Sequence, residues 1–375
     1  MEFTGLHTNL VDMHDNRTII GIYYRNGIFD EHIGNRGISY VLDHVLYEAL
    51  CQRICDSKKG EVRCFTNHGY SEILILCEPE NAMQNIRIAE DVLFASKLPY
   101  NTDIIAQWIG SKKNDLRGQR KTSEVLYYEQ RAAGTPLAKQ LSGLLTSVPS
   151  EQALRVWHTV YLQQANPWGY VSGAIPALFR NQNHIEETGR SALPMVTPSQ
   201  TAFPRHIQWH RSQVVYSVPC EITADNILAA EAYCELLRPV FASEIRKHKG
   251  QLSSLKIQPD YFSELQLCFQ CCRGTEAVLA NRVVQSVFKS KLLISDTQIN
   301  DLRNKLHLSY LQIARNAFMW NRFAGYNAIT GKRYDIHMLL NEETYSMHIS
   351  VETIGSIVSN MQNAECVNIF VSSVR

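Results

Sequence analysis

Residues 17–24, Arg-Thr-Ile-Ile-Gly-Ile-Tyr-Tyr, form a run of β-branched and aromatic side chains that predicts a strand. Beyond a glycine-containing loop the rhythm changes. Val41, Leu42, Val45, Leu46, Leu50 and Ile54 fall on one face of a 3.6-residue period, which predicts an amphipathic helix. Two further strands are expected near 62–66 and 71–77, then three or four helices between about 82 and 163, and a closing strand over 168–175. Strands and helices segregated in this way make an α+β unit.

From 180 to 209 the sequence turns polar and irregular, with Gly189, Pro194, Pro198 and Pro204, and reads as a linker. Past it the order of elements repeats: a strand over 213–218, a helix over 224–248, a strand over 261–269, helices over 276–289, 297–319 and 351–361, and a closing strand over 367–372. Local detail repeats too. Asn101-Thr102-Asp103-Ile104 and Asp296-Thr297-Gln298-Ile299 each open a long helix, with Thr102 and Thr297 as the expected N-caps. Ser150 and Ser350 are expected to cap the last helix of each half. The expected architecture is α+β with two similar subdomains, each a mostly antiparallel sheet covered by helices, over 1–180 and 210–375, with a linker over 181–209.

A chain of 375 residues is long enough for more than one packed core, and 45% apolar with 19% charged residues is the ordinary balance of a folded protein. Thirty-seven basic against 36 acidic residues leave a net charge of +1 without a long like-charge run, so nucleic acid is not an expected partner. The most apolar window, Ile73 to Cys77, stops at a strand's length and is far too short to span a membrane. Residues 1–16 carry His7, Asp12, His14 and Asp15 and lack the basic start and apolar stretch of a secretory signal. A cytoplasmic location is therefore expected, where ten cysteines read as buried thiols rather than a disulfide framework.

Two clusters invite a metal reading and neither supports it. Cys268, Cys271 and Cys272 contain a C-x-x-C, but they sit in a strand-like segment without a second cysteine pair at zinc spacing. His206 and His210 are four apart, but Pro204 and the alternating Ile207 and Trp209 lead into a strand, where positions i and i+4 are too far apart to share one ion.

The helix after the first strand carries a pattern with chemical meaning. Its opening, Gly37-Ile38-Ser39-Tyr40-Val41-Leu42-Asp43-His44 after Asn35-Arg36, resembles the zinc helix of the pitrilysin-like metallopeptidases, whose signature is H-x-x-E-H. In that signature histidines at i and i+4 share a helix face and bind zinc, and the glutamate before the second histidine takes a proton from the zinc-bound water. Here Tyr40 stands at the first histidine, Asp43 at the glutamate, and His44 alone remains. A phenol with a pKa near ~10 is a poor zinc ligand, and aspartate is one methylene shorter than glutamate. Matching the third-ligand helix of the family to residues 104–114 puts Gln107 and Asn114 at its two glutamate positions. The resemblance runs on through Thr135-Pro136-Leu137, Val148-Pro149-Ser150, Trp157, Tyr161 and Asn166, and so covers nearly the whole chain.

In the second half the family places an arginine and a tyrosine, seven positions apart, against the substrate. Arg246 matches the arginine, and Ser253 stands where the tyrosine would be. A guanidinium there is suited to hydrogen-bond a substrate carbonyl. The alternative is a solvated charge at a helix C-terminus, which the cluster Arg246, Lys247, His248 and Lys249 and the helix dipole favour. The resemblance thus implies a chain without catalytic residues, metal or other cofactor of its own. It implies a zinc-bearing homologous partner and an unfolded peptide substrate, as in the two-chain peptidases of subtilosin-type bacteriocin clusters. It also leaves open a stand-alone peptide-binding or scaffold protein.

Overall fold

The computed structural model describes residues 6–8, 15–31, 33–119, 148–163, 167–175, 206–208, 212–218, 220, 223–247, 251–259, 265–272, 286–287, 294–329, 335–363 and 369–372. In the first half the elements are β1 (Leu6–Thr8), β2 (Thr18–Tyr24), α1 (Ile38–Ile54), β3 (Glu61–Thr66), β4 (Ser71–Cys77), α2 (Ala82–Leu93), α3 (Thr102–Gln119), α4 (Glu151–His158) and β5 (Trp168–Gly173). In the second they are β6 (His206–Gln208), β7 (Ser212–Val218), α5 (Ala224–Lys247), β8 (Gln251–Pro259), β9 (Leu265–Cys272), α6 (Asp296–Ala314), α7 (Ala317–Ile329), α8 (Glu342–His348), α9 (Val351–Asn363) and β10 (Ile369–Ser372). The linker expected at 181–209 and the helix expected at 276–289 fall almost wholly outside the described residues.

Two sheets form, with strand orders β1-β5-β2-β4-β3 and β6-β10-β7-β9-β8. Strand for strand these are the same topology. In each the outermost short strand pairs parallel with the closing strand, and every other pairing is antiparallel. The repeat legible in the sequence is therefore a repeat of architecture, and the fold is α+β as expected.

The compact units do not divide at one point in the chain. Unit one takes residues 1–117, 139–194 and 311–332, and unit two takes 118–138, 195–310 and 333–375. Unit one thus owns α7, and this explains why β2 and β5 are buried at every position. Successive side chains of a strand face opposite ways. Ile20, Ile22 and Tyr24 join Val41, Leu42, Val45, Leu46, Leu50 and Ile54 of α1 in one core, as the helical spacing predicts. On the other face Tyr23 donates its hydroxyl to Asn321 Oδ1 of α7 at 2.7 Å, and Ser172 Oγ donates to the Ala317 carbonyl at 2.8 Å. Asn321 Nδ2 reaches the carbonyls of Ile19 at 3.1 Å and Tyr170 at 2.9 Å. Such close approach needs glycine: a Cβ on Gly325 would stand 2.0 Å from the Tyr23 ring, and one on Gly21 would stand 2.0 Å from Asn321 Oδ1.

Several expected details shift. Asn101 rather than Thr102 caps α3, its Oδ1 accepting from the amides of Asp103 at 3.0 Å and Ile104 at 3.1 Å. Ser295 rather than Thr297 caps α6, in a reciprocal pair in which Gln298 N donates to Ser295 Oγ at 3.3 Å and Ser295 N donates to Gln298 Oε1 at 2.9 Å. Ser150 and Ser350 do cap α4 and α9, accepting from Ala153 N at 3.1 Å and Thr353 N at 3.2 Å. The long helix expected over 297–319 is two helices, because Asn316 restarts the chain by accepting from Met319 N at 3.0 Å. Strand β8 had no counterpart among the expected strands, and α8 none among the expected helices.

Candidate functional site

The loop before α1 builds the site from beneath. Gly37 holds φ 80°, a left-handed conformation suited to glycine, and opens α1. Glu31, 3% exposed, accepts from the amides of Gly37 at 2.7 Å and Ser39 at 3.2 Å, so a carboxylate sits at the positive end of the helix. Burial pushes its pKa up to about 7, against these two hydrogen bonds that favour the ionised form.

Asp43 is turned inward. It is 2% exposed, and four donors surround its two oxygens: Tyr24 Oη at 2.6 Å and Asn26 Nδ2 at 2.8 Å on Oδ1, Ser71 Oγ at 2.6 Å and Thr66 Oγ1 at 2.5 Å on Oδ2. These partners come from β2, its following loop, β3 and β4, so the aspartate ties α1 to three strands. Asn26 Oδ1 in turn accepts from Trp157 Nε1 of α4 at 2.7 Å. Burial raises the Asp43 pKa to about 6, opposed by the hydrogen bonds from Ser71, Thr66, Tyr24 and Asn26. Ser71 Oγ also lies 2.6 Å from the Asn26 carbonyl, and one hydroxyl proton serves only one acceptor.

On the outer face of α1 the two other motif positions meet a side chain that the sequence reading did not select. His44 stacks on Trp108 with ring centroids 4.1 Å apart and planes 5° from parallel, and Tyr40 lies 4.9 Å from the same indole at 32°. The signal was present in the pattern: Ile105, Trp108 and Ile109 share one face of α3, and Ile105 and Ile109 are buried in the unit-one core. Gln107 is exposed on α3, and the Asn114 side chain lies outside the described residues. His44 Nδ1 faces Glu48 Oε1 at 3.9 Å, too long for a hydrogen bond. A cleft of about 310 Å³ opens here, walled by Tyr40, Asp43, His44, Tyr47, Glu48 and Trp108 with Cys64 and Thr66.

The side chains present do not fit the zinc that the motif implies. Among the described residues no group of three or more His, Cys, Asp or Glu side chains stands close enough to hold a metal ion. The carboxylate of Asp43 is directed into its cage of donors rather than toward a metal-bound water, and a phenol and an indole occupy the face beside His44.

In unit two, Arg246 lies exposed in the last turn of α5, its Nε donating to the Ala242 carbonyl at 3.1 Å. Ser253 falls on β8 between Leu252, paired with Cys271, and Ser254, paired with Gln270, at a break of register that leaves it without a ladder partner. Cys268, Cys271 and Cys272 lie on β9 and His206 on β6, while His210 is outside the described residues. No helix among the described residues is long and apolar enough to cross a membrane.

No family profile matches the chain, and no curated protein matches it in sequence. Solved structures do. An M16-like protein from Alicyclobacillus acidocaldarius superposes with a TM-score of 0.73 at 11% identity, covering 100% of this chain and 97% of that one. A peptidase M16 inactive domain from Pseudomonas fluorescens gives 0.71 at 10% identity, covering 99% and 95%, and a protease from Helicobacter pylori gives 0.71 at 12%, covering 99% and 98%. Likeness at this identity is likeness of fold, and the fold is the pitrilysin-like one anticipated from residues 37–44.

Proposed function

We propose that this chain is a pseudo-peptidase, the non-catalytic subunit of a two-chain zinc peptidase. The observation that carries the reading is the face of α1, where a phenol, a sealed aspartate and an indole-stacked histidine stand in place of two histidines and a free glutamate. Its likeness in fold to an inactive M16 domain supports it. In this reading a zinc-bearing homologous subunit supplies the chemistry, and this chain closes the chamber and helps hold an unfolded peptide as an added strand. Exposed Arg246 is the group offered to a substrate carbonyl, and Ser253 is shorter than the tyrosine whose place it takes. In its finest form the peptide is a ribosomally made antibiotic precursor whose leader is removed in the cytoplasm, a step that rests on the sequence resemblance alone.

Elemental analysis of the purified chain is expected to find no stoichiometric zinc, and one tightly held zinc per chain overturns the reading. Co-expression with a zinc-bearing homologue is expected to give a stable complex in which peptide cleavage needs both chains. Cleavage that proceeds unchanged without this chain would instead favour a stand-alone peptide-binding or scaffold protein.

A further inference from the structure

We infer that the cleft over α1 in unit one is a receptor for a cationic side chain, lysine or arginine, of a bound peptide. This deepens the pseudo-peptidase reading and rests on it, since the cleft lies where an active relative would hold its metal. At about 310 Å³ the space is at the small end of ligand pockets, roughly 300–1,000 Å³, and suits one side chain rather than a cofactor. Three aromatic rings line it, those of Tyr40, Tyr47 and Trp108, together with the half-exposed Glu48 and with Asp43, whose buried carboxylate lies behind the wall. No lysine or arginine is among the described lining residues.

Ring faces carry negative quadrupole charge and attract an ammonium or guanidinium group held over them. The two carboxylates have separate parts. Asp43 has both oxygens occupied by donors and contributes only its field. The Glu48 side chain is 49% exposed, and its nearest ion-pairing group among the described residues is His44 Nδ1 at 3.9 Å. It is the group positioned to pair with an incoming cation. An anionic side chain is repelled by the same pair of acids. An apolar side chain would fit the rings but would displace water from Glu48 without giving it a partner. A second cleft of about 250 Å³ shares His44 and Glu48 and continues past Val45, Tyr100, Ile104 and Ile105, a mostly apolar wall suited to the residue next to the cation.

The test uses the full chain alone at pH 8 and fluorescently labelled, end-capped heptapeptides that differ only in the central residue: lysine, arginine, norleucine, phenylalanine or glutamate. Fluorescence anisotropy is expected to show lysine and arginine binding about tenfold more tightly than norleucine, with the advantage shrinking as salt is raised. Glu48→Gln is expected to remove at least about threefold of that preference with thermal stability unchanged, because the side chain is half exposed. Tyr40→Ala is expected to weaken both cationic peptides. Norleucine or phenylalanine binding as well as lysine, a full lysine preference in Glu48→Gln, or binding of none of the peptides overturns the inference. Neither partner nor cleavage enters this assay. A missing cation preference therefore sinks this proposal alone, and a dispensable chain in the co-expression assay sinks the two-chain reading alone.

Discussion

Asp43 occupies the position of a catalytic base while its surroundings are those of a structural group. Taking a carboxylate out of water is unfavourable, and its four hydrogen bonds offset only part of that, which is why its pKa settles at about 6 rather than below the usual range. A carboxyl whose folded-state pKa is raised contributes stability that is fully present below the unfolded-state value of 3.8 and is lost as pH rises through about 6. Glu31, raised from 4.5 to about 7, acts in the same direction. Urea denaturation is therefore expected to show Asp43→Asn gaining on the native chain as pH rises from about 4 to 7, with a flat difference above. Equal pH slopes for the two proteins would place the titration elsewhere. Asp43→Ala strips the acceptor from the buried Tyr24, Asn26 and Ser71 and the half-buried Thr66, and is expected to destabilise by about 3 kcal/mol at about pH 4, measured by the same titration, with the loss shrinking toward pH 7 because the variant has no carboxyl to titrate.

At the scale of elements, regular periodicity was legible and its interruptions were not. α1 was readable because six apolar residues keep strict helical spacing, and β4 because its run of isoleucine and leucine is buried on both faces. β8 escaped notice because the extra residue at Ser253 breaks its two-residue alternation, so Leu252 and Leu255 no longer read as one face. The caps lie one and two positions before the expected threonines because Asn101 precedes Thr102 and Ser295 precedes Thr297 with equal capping chemistry, and only geometry decides. The part played by Trp108 was not legible because an indole on the apolar face of α3 reads as core, and only the packing of α3 on α1 brings it against His44. The close crossing of α7 over β2 was illegible for a different reason: no local pattern announces which distant segment a strand face will meet. It yields a direct expectation. Gly325→Ala places a methyl against the Tyr23 ring and, by overpacking, is expected to lower stability by about 1–3 kcal/mol, read as a fall in the denaturation midpoint. Gly355→Ala, where a Cβ meets nothing within 4 Å, is the control and is expected to be neutral or stabilising.

For the whole molecule, the repeat of five strands in identical order shows that the two halves follow one plan, yet the chain does not separate into two consecutive folding units. A linker at 181–209 would suggest that a fragment ending there folds alone. Unit one, however, includes residues 311–332. Without α7, the face of β2 and β5 that carries Ile19, Tyr23, Tyr170 and Ser172 loses its cover, and the Tyr23 hydroxyl loses both Asn321 acceptors. Leaving that apolar surface and its polar groups without partners is a large fraction of a domain's net stability. A fragment of residues 1–209 is therefore expected to be poorly folded, with weak chemical-shift dispersion and rapid amide exchange in β2 and β5. Addition of the complementary fragment 210–375, which supplies α7, is expected to restore protection in both strands. Full protection in the fragment alone would mean that the sheet is stable without α7, and that the interleaving of the chain between its units is a matter of connection rather than of cooperative folding.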